Sequence, residues 1–167
     1  MKLEELTFLI TQGEGLTVEF KERFTLKIDE DIIAFANTRG GFILLGVNDA
    51  REITGETLTN ELKGRIISLA RNCKPQLEAF VSQLENVVVV EVPEGTEKPH
   101  SCASGYFRRL DGATQKLSKL NSSASGIAQS LGISARAVEK HLSNLKKKGM
   151  LKRVGSDKGG HWEVAKK

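Results

Sequence analysis

Apolar positions along the chain follow two rhythms, and their alternation sets the expected elements. Leu3, Leu6, Leu9 and Ile10 recur at helical spacing, and Gly13 and Gly15 end that run. The next residues, LTVEFK, alternate instead. Leu16, Val18 and Phe20 face one way and Thr17, Glu19 and Lys21 the other, the pattern of a half-buried strand. Ile28, Ile32, Phe35 and Ala36 restore a helical stripe, which Gly40-Gly41 should end. FILLGV, from Phe42 to Val47, is apolar without alternation and predicts a strand covered on both faces, with Gly46 allowing a close backbone approach. Leu58 to Arg71 predicts another helix, stopped near Lys74-Pro75. Phe80 to Leu84 and Val87 to Val92 read as a strand pair around Glu85-Asn86, and Gly105 to Arg108 as a last strand.

Helices and strands interleaved in this way give an α+β domain. SKLNSSASG, Ser118 to Gly126, is polar, small and flexible, and it marks the boundary. The expected organisation is a first domain over residues 1–116, a linker over 117–125 and a second unit over 126–167.

In the second unit, Ile127, Ala128 and Leu131 form one apolar helix face. Gly132 sits at a tight turn, and Ser134 can cap the next helix. Val138, Leu142 and Leu145 then make an inner stripe. At about 100° per residue, Arg136, Lys140, Ser143 and Lys147 fall on the opposite side. Leu151–Val154 and His161–Val164 read as two short strands joined by GSDKGG, a hairpin with Lys158 near its tip. This pattern resembles the winged helix-turn-helix of bacterial and archaeal transcription regulators. The resemblance implies Arg136, Lys140, Ser143 and Lys147 at the major groove of duplex DNA and the wing on the phosphate backbone. It also brings the two-fold habit of such regulators, hence an expected homodimer. One departure is that only QKLSKL, Gln115 to Leu120, is available as a first helix.

Charge sharpens the division. The chain of 167 residues has a net charge of +4, but residues 1–116 carry 14 Lys+Arg against 18 Asp+Glu, whereas residues 117–167 carry 11 against 3. A small basic unit joined to a mildly acidic one points to a polyanion partner, although lysines also accumulate at helix C-termini for dipole reasons alone. No apolar run approaches the roughly 18 residues of a membrane span, and no secretory leader pattern is present, so the expected location is cytoplasmic with no membrane partner. Two cysteines, Cys73 and Cys102, suggest no disulfide framework, and His100 with Cys102 is too little for a zinc site. RGGFILLG lacks the Lys-Ser/Thr of a phosphate-binding loop. Asn37 is expected to hydrogen-bond across the core. Arg108 and Arg109 beside Tyr106 and Phe107 suit either nucleic-acid contacts or a half-buried strand with outward arginines.

Five segments, Gly13–Glu22, Ile32–Asp49, Ile53–Gly55, Val87–His100 and Gly105–Thr114, closely resemble in order the Schlafen AlbA-like domain, also found at the front of RecG-like regulators. The resemblance implies an α+β nucleic-acid-binding domain. Relatives often join it to a winged helix through a long ATPase-like segment that is absent here. In Schlafen nucleases three acidic residues form a metal-dependent RNA-cleaving site, and the matching positions are Glu14 and Glu19, in E-x-x-x-V-E-F-K, and Asp49. Clustered carboxylates would suit Mg²⁺ or Mn²⁺, with Lys21 near the scissile phosphate. The alternative is structural: Glu14 capping a loop, Glu19 pairing with Lys21, and Asn48-Asp49 forming a turn.

The expectation is therefore a DNA-binding transcription regulator needing no cofactor, with double-stranded DNA as partner. The alternative is a divalent-metal-dependent ribonuclease using Glu14, Glu19 and Asp49 on RNA. A third reading is a protein-interaction adaptor.

Overall fold

A computed structural model of the chain describes residues 1–117, 134–154 and 161–164. It divides into two compact units, Met1–Leu117 and Ser118–Lys167. Among the described residues no helix is long and apolar enough to cross a membrane.

The first unit is built on a four-stranded sheet. Helix α1 (Leu3–Gln12) leads to strand β1 (Val18–Lys21), helix α2 (Ile28–Ala36) and strand β2 (Gly41–Leu45). Helix α3 (Asn60–Arg71), strands β3 (Phe80–Leu84) and β4 (Val87–Val92), and the hairpin β5 (Tyr106–Leu110) and β6 (Ala113–Leu117) follow. The sheet order is β1-β2-β4-β3, with β1 parallel to β2 and the other pairs antiparallel. Alternate residues supply two cores. Val18, Phe20, Leu44, Val47, Val87 and Val89 pack against Leu6, Leu9 and Ile10 of α1. Ile43, Leu45, Val88, Val90 and Val92 point the other way, against α2, α3 and Phe107 of β5. This explains why the segment FILLGV lacks alternation: helices cover both faces of its strand.

Seven of the nine residues of α2 are buried, Asp31 among them. An apolar stripe predicts one covered face; here the sheet, α3 and the β5–β6 hairpin all pack on this helix. Burial of side chains such as Ile32 and Phe35 contributes about 1.5–3 kcal/mol each. Gly40, at φ 71°, turns the chain after α2, where an added Cβ would stand 2.7 Å from the Val92 carbonyl oxygen. Gly46, at φ 91°, would bring a Cβ within 2.5 Å of the Glu56 amide nitrogen, which is the expected close approach. Thr59 caps α3 by accepting from the Leu62 amide at 3.0 Å.

Three local expectations change. Leu16 lies outside β1 and is 41 % exposed. The supposed polar face of β1 is not solvated: Glu19 is buried, because α2 and β5 close over it. Gln115–Leu117 form part of β6 and pair with Tyr106–Arg108, so they do not begin a helix of the second unit.

In the second unit, helix α4 (Ala135–Lys147) is capped by Ser134, whose hydroxyl accepts from the Ala137 amide at 3.2 Å, as expected. Strands β7 (Leu151–Val154) and β8 (His161–Val164) pair antiparallel in the predicted segments. Ile127, Ala128, Leu131, Gly132 and Lys158 lie outside the described residues.

Candidate functional site

The most concentrated chemistry of the first unit sits where β1, α2 and the β5–β6 hairpin meet. Phe107 and Arg109 alternate onto the inner face of β5, and the Arg109 side chain is fully buried. Its guanidinium donates to Glu19 Oε2 at 2.6 Å and Thr114 Oγ1 at 2.9 Å. It also donates to the carbonyls of Gly15 at 2.7 Å, Val18 at 3.2 Å and Gly112 at 2.6 Å. The Phe35 ring lies beneath it, 4.8 Å from Cζ to the centroid. A planar guanidinium with several fixed donors suits this task, as an ammonium could not reach so many oxygens.

Glu19 links this arginine to Lys21, whose Nζ donates to Glu19 Oε1 and lies 3.4 Å from Asp31 Oδ2. Asp31 Oδ1 in turn accepts from the Thr114 hydroxyl at 2.6 Å. Two cations and two carboxylates thus form one internally neutral network. Burial works against the charged form of Lys21, but the hydrogen bond to Glu19 and the charges of Asp31 and Glu19 outweigh it, so its pKa lies above the ordinary lysine value. For Asp31, burial is the largest effect and outweighs Thr114 and Lys21, holding the carboxyl above the ordinary aspartate value.

The three acids singled out in the sequence occupy different settings. Glu14 is exposed and accepts the Phe20 amide at 2.8 Å, satisfying a donor on edge strand β1. Both Glu19 oxygens face cations. Asp49 is exposed at the tip of a turn that Asn48 closes: Asn48 accepts the Glu52 amide at 2.9 Å, and the Arg51 amide donates to the Asn48 carbonyl at 2.9 Å. Among the described residues, no three His, Cys, Asp or Glu side chains are grouped so that they could hold a metal ion. As placed, Glu14, Glu19 and Asp49 do not fit Mg²⁺ or Mn²⁺. Lys21 is engaged within the network, and Arg108 is half-buried on the other face of β5.

Two residues gained their weight only from the structure. Arg109 is the hub of the network; its sequence signal was the shared parity with Phe107. Arg51, at φ 67°, donates to the Thr11 carbonyl at 2.7 Å and ties the Asp49 turn to the end of α1. Asn37 behaves as expected, donating to the His100 and Phe107 carbonyls at 2.9 Å each and accepting the His100 amide at 2.7 Å.

In the second unit, Arg136, Lys140, Ser143 and Lys147 are all exposed along α4. Val138 is buried and Leu142 and Leu145 are half-buried on the opposite side. Asn144 joins the exposed face.

Residues 14–118 match the family described as Schlafen, AlbA_2, well over half of the chain. The chain belongs to the Schlafen, AlbA_2 family. The match covers the whole arrangement from Glu14 through β6, so the network is built entirely from residues of the family domain. A second family, FaeA-like protein, matches residues 107–166, less than half of the chain. No curated protein matches. The crystal structure of the DIP2311 protein from Corynebacterium diphtheriae is similar at 16% identity with a TM-score of 0.46. That likeness covers 61% of this chain and 22% of the DIP2311 chain, so this chain spans about a fifth of that one.

Proposed function

We propose that this Schlafen, AlbA_2 protein binds nucleic acid as a transcription regulator, with duplex DNA held by its second unit. The observation that carries the reading is α4. One side packs through Val138, Leu142 and Leu145, and the other presents Arg136, Lys140, Ser143 and Lys147 to solvent. A helix with an exposed basic face, followed directly by an antiparallel hairpin, supports a winged-helix reading, with α4 at the major groove. Ser143 and Asn144 can hydrogen-bond base edges while the cations meet phosphates. Lys158, in the sequence between β7 and β8, is a further cation of the proposed contact set.

The test is fluorescence anisotropy of a labelled duplex titrated with the full chain at several salt concentrations. With about four phosphate contacts, affinity should fall on the order of 100-fold between 50 and 200 mM salt. A salt-independent affinity, or no binding at 50 mM salt, would sink the proposal.

The ribonuclease reading rests on the family alone, since Glu14, Glu19 and Asp49 are engaged separately and offer no joint metal site as placed. End-labelled RNA incubated with Mg²⁺ or Mn²⁺ should stay intact; cleavage that vanishes in EDTA and in Glu19→Gln would replace this reading.

A further inference from the structure

Cys73 and Cys102 are far apart in sequence and adjacent in the fold. Lys74 and Ser101 exchange both backbone hydrogen bonds, at 2.9 and 2.8 Å, and form an isolated antiparallel bridge. Cys73 and Cys102 flank this bridge on the same side, one step out from it, and are close enough for the charge of Cys102 to bear on Cys73. Residues flanking a hydrogen-bonded antiparallel pair in a regular ladder have Cα atoms about 4.5 Å apart, within the range a disulfide requires. Both cysteines are free, and Cys102 packs against the core cluster that contains Cys73. Cys73 is buried, whereas Cys102 is partly exposed and can be reached first. Asp29, in the first turn of α2, is a charged group near both thiols.

We propose that Cys73 and Cys102 are a modification site: a vicinal pair that a hydroperoxide converts to an intrachain disulfide, joining the end of α3 to the segment that leads into β5. The Cys102 thiolate attacks the peroxide O–O bond, forming a sulfenic acid and releasing an alcohol or water. The Cys73 sulfur then displaces the sulfenic oxygen, which leaves as water once protonated. Two thiols lose two electrons and two protons, and the hydroperoxide is reduced. The bond would tie α3 to the strand that carries Arg109, on the same face of the sheet.

The surroundings set the rate. Burial pushes the Cys73 thiol up to about 12, and burial together with Asp29 also raises Cys102. Thiolate is the reactive form, so oxidation is slow at neutral pH and rises about tenfold per pH unit through the mildly alkaline range. Replacing Asp29 by Asn removes a charge that disfavours the thiolate and should speed the reaction severalfold.

The experiment treats the full chain with hydrogen peroxide and digests it under non-reducing conditions for mass spectrometry. The expected product is a peptide pair linked through Cys73 and Cys102, lighter by two hydrogens, restored by dithiothreitol and formed faster in Asp29→Asn. Closing a loop of this length should raise the midpoint of thermal unfolding by roughly 5–15 °C. In Cys73→Ser, Cys102 should stop at the sulfenic acid, trapped by dimedone. The proposal is overturned if native protein yields only intermolecular links, or if wild-type Cys102 passes to sulfinic acid without the link. It is equally overturned if the link forms only in urea.

Discussion

In the first unit the guanidinium of Arg109 meets five protein oxygens and no solvent. In the second, no ion pair among the described residues engages Arg136, Lys140 or Lys147, and all three lie on one exposed helix face. The two regions use the same side-chain chemistry for opposite purposes. Inside the fold, charges are balanced by partners of this chain, and they hold β1, α2 and the β5–β6 hairpin in register. On α4 no such partner is found among the described residues, and the cations face outward as contact with an external polyanion requires. A count of lysines and arginines cannot make this distinction; burial and hydrogen bonding can.

The largest expected effect tests the buried side. Arg109→Met leaves Glu19 with Lys21 alone and takes the guanidinium donor from the Gly15 and Gly112 carbonyls, while the Val18 carbonyl keeps the Gly15 amide. Removing one partner of a buried ion pair costs about 3–5 kcal/mol, so the first unit should lose most of its stability. Thermal unfolding followed by circular dichroism reads this directly. Arg109→Lys should recover little, because one ammonium cannot reproduce the fork of contacts. An Arg109→Met protein as stable as wild type would mean that the network does not hold the hairpin.

The next effect tests the exposed side. Lys140→Glu with Lys147→Glu should leave the unfolding midpoint within a few degrees of wild type but weaken duplex binding by at least tenfold at 100 mM salt. The slope of log affinity against log salt should also fall by about one per lysine. The comparison between the regions predicts this opposite split of stability and binding. If the double variant binds DNA normally, the cations of α4 are only a solvated face.

A smaller effect separates the members of the network. The raised pKa of Lys21 means that its contribution is fully present below the ordinary value of 10.5 and is lost as pH rises through the higher folded value. Lys21→Met should lack that alkaline loss. The carboxyl of Asp31 is also raised above its ordinary value of 3.8, so its contribution is greatest in acid and declines as pH rises through the folded value. Urea unfolding at pH 4 and pH 7 should therefore show Asp31→Asn gaining on wild type towards neutral pH. A gain towards acid would reverse the assigned balance between burial and the partners Thr114 and Lys21.

Much of this architecture is legible in the sequence, and the exceptions share a cause. The strands Phe80–Leu84, Val87–Val92, Leu151–Val154 and His161–Val164, and the cap at Ser134, follow from local rules of period and capping. So do the inner and outer faces of α4. Glu19, Lys21 and Asp31 alternate or recur as surface residues do, yet all join a network closed by Arg109, 90 positions from Glu19. No local window contains both ends of that contact. Strand β6 was hidden for a related reason: ATQKL lacks an apolar rhythm, and it becomes a strand by pairing with β5. The three family acids were legible as letters, but their grouping depends on side-chain contacts that the letters do not carry.

The smallest effects belong to the rim of the first unit, and they discriminate between scaffold and chemistry. Glu14→Ala removes the acceptor from the Phe20 amide on an edge strand, which should cost about 1 kcal/mol. Asp49→Ala changes an exposed turn position whose closure comes from Asn48, so it should stay within about 0.5 kcal/mol of wild type. Urea unfolding of the two variants measures both. The ordering follows from hydrogen bonding alone: Glu14 serves a backbone donor and Asp49 serves none among the described residues. If Asp49→Ala instead destabilised the protein as much as Glu14→Ala, the exposed turn would be making contacts beyond those of Asn48 and Arg51. If it abolished metal-dependent RNA cleavage while leaving stability untouched, the three acids would have to assemble in an arrangement other than this one, and the contrast between the internally neutral network of the first unit and the partner-seeking cations of the second would fail at that point.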